Sequence, residues 1–298
     1  MTKTLAQVTT EFIYRDSLSN STKLSYEVTL MPLLEKFGSY PIEIINRKLI
    51  EDYLTSLTHL SYTTHNRHQT IIQSLFNFAV QKGYIKVNPA TGIQQQKPNR
   101  SKGEHQDDSV IRYLTNEQLE TLYQLVEPDI RLHTIVRLLH RTGARISELL
   151  SLNLEDIDQD NCKFQVVGKG NKKRWCFYSS DAATHLEKYI QYYRYNPHQA
   201  LFTARHPLTE IITRLSYHRV YSLWRELTNQ NPILTGVRLH DLRHTFATER
   251  VGLMGIEELR ALMGHSHIQT TLKYQKVTSL RAEQVAQNAL QILLSEEL

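Results

Sequence analysis

The sequence predicts a mainly α-helical chain that carries a small β-hairpin or sheet and divides into two domains. Three observations lead there. Apolar residues recur three or four positions apart through most of the first ninety residues and again beyond Thr115, the period of a helix with one buried face. One stretch, "CKFQVVGKGNKKRWCFY", instead sets two short β-rich runs on either side of a Gly-Lys-Gly-Asn turn. Between the helical blocks, "QQQKPNRSKGEHQDD" has no apolar period and reads as an extended linker. A chain of 298 residues holds enough apolar material for two ordinary cores. The domains are therefore placed at 1–93 and 111–298, with a linker over 94–110.

Taken in order, "STKLSYEVTLMPLLEKFG" puts Leu24, Val28, Met31 and Leu34 at helical spacing, with Ser21 as N-cap and Gly38 past the end. Pro32 falls inside this pattern, where a kink or a break is expected. "NRKLIEDYLTSL" lines up Leu49, Ile50, Tyr53, Leu54 and Leu57 on one stripe. "YTTHNRHQTIIQSLFNFAVQKG" does the same with Ile71, Ile72, Leu75, Phe76 and Ala79, and stops at Gly83. The outward residues of that helix, Thr63, Thr64, Asn66, Arg67 and His68, are polar and lightly basic. They suit a nucleic-acid surface and plain solvation equally. Lys97, Arg100 and Lys102 in the linker are placed to track phosphates, although a merely solvated linker would carry them too.

The second block opens at "RYLTNEQLETL", where Thr115 and Gln118 form a T-x-x-Q capping box ahead of Leu119 and Leu122. Two helices follow, ending in "IVRLLHRTGARISELLSL", and then the hairpin. Everything after the hairpin reads as helical. The last segment, "SLRAEQVAQNALQILLSEEL", is amphipathic, with Val285, Ala289, Leu290 and Leu293 on one side.

A net charge of +5 and a pI near 9.0 lean towards a polyanionic partner. With 40% hydrophobic and 22% charged residues the composition is that of a globular protein. No apolar run approaches the roughly 20 residues that span a bilayer. The start, "MTKTLAQVTTEF", lacks the parts of a signal peptide, so a cytoplasmic protein without a membrane partner is expected. The two cysteines, Cys162 and Cys176, lack C-x-x-C spacing and read as reduced, half-buried strand residues. None of the fourteen histidines forms an H-E-x-x-H pair, so neither a metal nor a cofactor is expected.

Four segments carry candidate chemistry. "TGARISELLSL" presents Arg145 with Glu148 three residues on, sharing a helix face; alone, an ordinary surface ion pair explains it as well. "VGKGNKKR" places Lys169 at the hairpin tip and fails the phosphate-loop template G-x-x-x-x-G-K-[ST], so no nucleotide site follows. "RLHDLRHTFAT" sets His240 and Arg243 on one face and points Leu242 and Phe246 to the core. His244 is read as pointing away from the His240 face, in a structural role. "LMGHSHIQTTLKYQ" sets His265 nine residues before Tyr274. A tyrosine with a pKa near 10 is a poor nucleophile at neutral pH unless cations stabilise its phenolate or a base removes its proton. His267 and Tyr178 are rivals, but only His265 follows the Met-Gly step, and Tyr178 has no histidine at comparable spacing.

In this order TGARISEL, GKGNKKR, HDLRH, LMGHS and TTLKY resemble the tyrosine recombinase (phage integrase) family, over the stretch from about Tyr113 to Val277. The helical block ending in "VNPA" resembles that family's core-binding, SAM-like DNA-binding domain. One small departure is Met263, where the family often has leucine. The resemblance implies a two-domain, Xer-like site-specific recombinase whose second domain is catalytic. Such an enzyme cleaves and rejoins DNA through a 3′-phosphotyrosine without metal or ATP, for integration, excision or resolution.

It also implies roles. Arg145 and Arg243 grip the scissile phosphate, His265 donates a further hydrogen bond, and His240 serves proton transfer with the nucleophile Tyr274. Lys169 protonates the leaving 5′ oxygen, and Glu148 supports the Arg145 or His240 neighbourhood. The implied partner is double-stranded DNA with an inverted-repeat site, bound by a homodimer or homotetramer in which the terminal helix passes between protomers. The core-binding helices begin almost at once, so no preceding arm-site domain is expected. Two alternatives stay open: a type IB topoisomerase-like relaxation of DNA, and a catalytically inert DNA-binding protein on the same scaffold.

Overall fold

The structure, a computed structural model, describes residues 2–99, 101, 103, 111–168, 171–277, 286–287 and 290–291. Arg100, Lys102 and Lys169 lie outside the described residues, as do Val285, Ala289 and Leu293 of the expected terminal helix. The chain divides into two units, Met1–Asp108 and Ser109–Leu298, and the division falls within the stretch read as linker.

The first unit is built from α1 (Leu5–Ile13), α2 (Asn20–Phe37), α3 (Arg47–Ser56) and α4 (Tyr62–Gln81). A capping box starts α1, with the Gln7 N–H donating to Thr4 Oγ1 (3.3 Å) and the Thr4 N–H to Gln7 Oε1 (3.0 Å). The α3 and α4 stripes bury much as their spacing predicts: Ile50, Tyr53, Leu54, Ile72, Leu75 and Phe76 are all in the core.

α2 departs from its predicted face. Its N-cap is Ser19, whose hydroxyl accepts from the Thr22 N–H, and not Ser21. Leu24, Val28 and Met31 are 62%, 67% and 53% exposed, whereas Leu30 and Leu33 are fully buried. Two apolar stripes overlap in this segment, and the one that also holds Tyr26 and Phe37 turns inward. Tyr26 stacks on Phe12 of α1 with ring centroids 5.1 Å apart. The aromatic face offers more apolar area to bury than the Leu24 face, so it wins. Pro32 does not split α2, which runs unbroken. The hydrogen bond it forfeits is to the carbonyl of Val28, on the solvent face, where water can satisfy it.

The second unit begins with α5 (Asn116–Val126), started by the reciprocal Thr115–Gln118 box at 3.1 and 3.2 Å. α6 (Ile130–Thr142) is buried along nearly its whole length, so even its polar residues must find partners. Thr134 Oγ1 donates to the carbonyls of Ile130 and His185, and His140 bridges the Tyr123 hydroxyl and the Glu249 carboxylate. α7 (Ile146–Ser151) follows at once.

The predicted hairpin is β2 (Lys163–Val167) against β3 (Lys173–Phe177), with a short β1 (Ile157–Asp158) on the outer edge of β2. Phe164 and Val166 point inward opposite Cys176 and Arg174. Cys176 is buried in β3, but Cys162 sits in the preceding turn at φ 49° and not on a strand; both are free.

Beyond α8 (Ser180–Lys188) the expectation of continuous helix fails: a second hairpin forms from β4 (Thr203–Arg205) and β5 (Ile212–Arg214). Three-residue strands are too short to display a period of two. α9 (Tyr217–Asn229), α10 (Leu239–Arg250), α11 (Ile256–Met263), α12 (Ile268–Leu272) and a 3-10 turn, Lys273–Val277, complete the described fold.

Gly143 closes α6 in the left-handed conformation, φ 62°, and a Cβ there would collide with the Phe246 ring. Both conditions demand glycine. Gly143→Ala is expected to destabilise the chain by about 2–5 kcal/mol, from left-handed strain plus overpacking. Urea unfolding checks this, and an unchanged midpoint would contradict it.

Candidate active site

The corner between α6 and α7, strand β3, helix α10 and the segment from α11 to the last 3-10 turn converge. Because α6 is buried and ends at Gly143, it fixes where the chain emerges as Arg145, the N-cap of α7. The Arg145 guanidinium donates to Glu148 Oε1 (2.8 Å) and its own N–H to Glu148 Oε2 (2.8 Å). On the other side, Arg174 of β3 grips the same carboxylate in a fork at 2.9 and 2.7 Å. Arg174 Nε donates in turn to the Leu262 carbonyl (2.9 Å), which ties the hairpin to α11. Glu148 therefore touches Arg145 and Arg174, and no hydrogen bond joins it to His240.

Arg243, on α10, is only 2% exposed. Its two terminal nitrogens donate to the carbonyls of Gly143 and Met263, so one side chain bridges the end of α6 and the end of α11. His265 follows Gly264, and its Nδ1 is 2.9 Å from the hydroxyl of the fully buried Thr271. Among the described residues nothing engages the other ring nitrogen.

Tyr274, in the 3-10 turn, is 3% exposed and packs among Phe246, Ala247, Leu259 and Met263. Its hydroxyl lies 2.8 Å from Nδ1 of His244. His265 lies parallel to the phenol ring at 6.3 Å between centroids.

His244 does not point away from His240, as the sequence reading expected. The rings meet edge to face at 4.6 Å. The two residues are four apart on a helix, and such neighbours share a face. No hydrogen bond joins the exposed His240 to Tyr274; His244 stands in that place.

The electrostatics follow from burial and from a surplus of guanidinium. Burial alone would push the Glu148 carboxyl up, but hydrogen bonds from Arg174 and the Arg145 N–H hold it at about 2. Burial, with Arg145 and Arg174 adding, lowers Arg243 to about 10, still a cation at neutral pH. Burial first, then Arg243 and Arg145, brings His265 down to about 4. Burial and His240 do the same to His244, also about 4. Burial raises Tyr274 to about 12, against the pull of Arg243 and Arg145. At neutral pH the site thus holds neutral imidazoles, a neutral phenol, and the guanidiniums of Arg145, Arg174 and Arg243 around the Glu148 carboxylate. A cleft of about 220 Å³ opens beside His265, lined in part by Lys172, Lys173, Arg174 and Arg260. Such a site can hold an anion and stabilise added negative charge on it.

Other candidates fall elsewhere. The tip residue Lys169 is outside the described residues, but Gly168 at the base of its turn lies next to Glu148 and Arg174. The rival Tyr178 is buried against Phe164, and His267 is exposed at the start of α12. In the first unit, the hydroxyls of Thr63 and Thr64 contact Ser61, the N-cap of α4. Asn66 pairs with the backbone of Gln96 (2.9 and 2.8 Å), and Arg67 donates to Ser25. Lys97 is exposed. Among the described residues no group of three His, Cys, Asp or Glu could hold a metal ion, and no helix is long and apolar enough to cross a membrane.

Sequence reasoning missed Arg174 and His244. A signal existed for each: Arg174 shares the inward face of β3 with Cys176, an unusual place for an arginine, and His244 stands one helical turn after His240.

The fold and this cluster of cations around a tyrosine define a tyrosine-type site-specific recombinase. Residues 112–281, over half of the chain, match the phage integrase family, and the chain belongs to that family. It is 28% identical over 279 residues to tyrosine recombinase XerC of Lactobacillus delbrueckii subsp. bulgaricus, covering 88% of this chain and 90% of that one. Its fold resembles that of the Tn1549 transposon integrase in complex with circular intermediate DNA, with a TM-score of 0.69 and 23% identity, over 91% of this chain and 94% of that one. It also resembles a lambda integrase dimer bound to a COC′ core site, with a TM-score of 0.68 and 17% identity, over 91% and 95%.

Proposed function

We propose that this chain recognises a defined site in double-stranded DNA and cuts and rejoins its strands through a 3′-phosphotyrosine on Tyr274. The observation that carries the reading is the Tyr274 hydroxyl, held by an imidazole at 2.8 Å and lying within the fields of Arg145 and Arg243. In-line attack on a phosphodiester adds negative charge to its non-bridging oxygens. Arg145 and Arg243 stabilise that charge with fixed donors, and His265 adds a third through its other ring nitrogen.

Glu148 acts through Arg145, since it accepts from that guanidinium and from the Arg145 N–H. Lys169 is the proposed donor to the leaving 5′ oxygen. The phosphotyrosine keeps the energy of the broken bond, so a free 5′ hydroxyl can attack it and strand joining needs no ATP.

Within this reading, the first unit is a core-binding domain that contacts DNA through Thr63, Thr64, Asn66 and Arg67, and the segment with Lys97, Arg100 and Lys102 follows the backbone. The site is an inverted repeat, occupied by two copies and synapsed by four, in the cytoplasm.

The test uses two labelled DNA fragments carrying the selected site. Exchange of strands between them is the expected outcome. Relaxation of supercoiled plasmid lacking the site would favour a topoisomerase, and binding without any covalent adduct would favour an inert binder. Either result contradicts the proposal.

A further inference from the structure

We propose that His244 is the group that takes the proton from Tyr274 as the phenol oxygen bonds to phosphorus. The inference rests on the reading of Tyr274 as nucleophile. His244 and His265 pack against the phenol and His240 packs against His244, and these contacts separate their roles.

His265 has one nitrogen engaged by Thr271 and lies parallel to the phenol ring at 6.3 Å, with no hydrogen bond to it. His240 meets His244 edge-on and is the exposed member of the pair. Among the described residues only His244 is in hydrogen-bond contact with the nucleophilic oxygen, at 2.8 Å. Proton acceptors in catalysis need this reach first and a suitable basicity second.

The neighbourhood also fixes the direction of the bond. The groups facing His244 are His240, Arg238, Asp241 and Arg243 from its own helix and Tyr274 from the last turn. Burial, His240 and the nearby guanidiniums keep the imidazole neutral; in the tautomer that carries its proton on Nε2, the Nδ1 lone pair accepts from the phenol. A phosphodiester entering between the arginines brings a negative charge close to this ring, which favours the imidazolium. The same anion offsets the guanidinium charge that disfavours it. Proton transfer is thereby tied to the arrival of substrate, and the phenol stays protonated without it.

The Tyr274 proton moves to His244 Nδ1 while the phenol oxygen forms the new bond to phosphorus. The bond from phosphorus to the 5′ oxygen breaks with its electron pair, and that oxygen takes a proton from a separate donor. In rejoining, the 5′ hydroxyl attacks phosphorus, and the His244 imidazolium returns its proton to the departing phenolate.

The experiment measures single-turnover adduct formation on a nicked suicide substrate with either oxygen or sulfur bridging to the 5′ carbon. His244→Ala, His244→Asn and Tyr274→Phe are compared with the unaltered chain, with DNA binding as the control for folding. Both His244 variants are expected to slow the adduct by roughly 10²–10⁴-fold. The loss should be equal on both substrates, because sulfur leaves without a proton but the phenol must still lose one. Asparagine can accept the hydrogen bond without taking the proton, so a rate restored by His244→Asn would reduce His244 to a holder of the ring and overturn the proposal. Rescue of either variant by sulfur would move His244 to the leaving-group side and overturn it as well. Normal cleavage by both His244 variants beside an inactive Tyr274→Phe overturns this proposal alone. An adduct that persists in Tyr274→Phe overturns the nucleophile and the proposal together.

Discussion

Tyr274→Phe is expected to abolish covalent attachment to DNA while leaving DNA binding unchanged. The substitution removes a single oxygen and keeps the ring that packs against Phe246 and Met263. The structural loss is the bond to His244, whose Nδ1 is left without a partner at a cost of about 1–3 kcal/mol. That should shift the unfolding midpoint without unfolding the chain. The chemical loss is complete, because no second phenol stands in the site: Tyr178 is buried against Phe164 with centroids 6.0 Å apart. Labelled suicide substrate resolved on a denaturing gel checks this directly, and a retained adduct band would remove the nucleophile from the mechanism.

Arg145→Ala should lower the single-turnover cleavage rate by roughly 10²–10³-fold, the usual cost of losing one preorganised donor to a developing oxyanion. Arg145 is a clean choice for this measurement. Its side chain is 34% exposed, and Glu148 keeps the Arg174 fork and the Arg145 N–H when the guanidinium is gone. The carboxylate is therefore not stranded, and folding should be spared. Arg145→Lys is expected to recover little, since a point charge does not reproduce two parallel N–H donors. A lysine variant at the unaltered rate would show that charge alone suffices there and that the fork is unnecessary.

The comparison between sequence and structure divides along physical lines. Where one apolar stripe had no competitor, as with Ile72, Leu75 and Phe76 on α4, spacing located the buried face. Where two stripes overlapped on α2, spacing could not choose, because the choice depended on the Phe12 ring waiting on α1. The Thr115–Gln118 box was legible because capping is local. The β4–β5 hairpin was not, because strands of three residues leave no periodic trace.

The same division runs through the site. The segments bearing Arg145, Arg243, His265 and Tyr274 stood out through their order and its resemblance to the recombinase motifs, and the fold brings them together. Arg174 escaped notice because its partners, Glu148 and Leu262, lie far off in the chain and only the fold joins them. His244 was passed over although its relation to His240 is one helical turn. Its bond to Tyr274, thirty residues away, belongs to tertiary structure.

In the proposed reaction the phenol oxygen of Tyr274 becomes bonded to DNA phosphorus. The most direct measurement traps the chain on a nicked substrate, digests away the DNA with nuclease and the protein with protease, and sequences the modified peptide by mass spectrometry. A single peptide is expected, whose Tyr274 carries a nucleotide through its 3′ phosphate. A nucleotide found on any other side chain, or none on Tyr274 when the adduct is abundant, would contradict it.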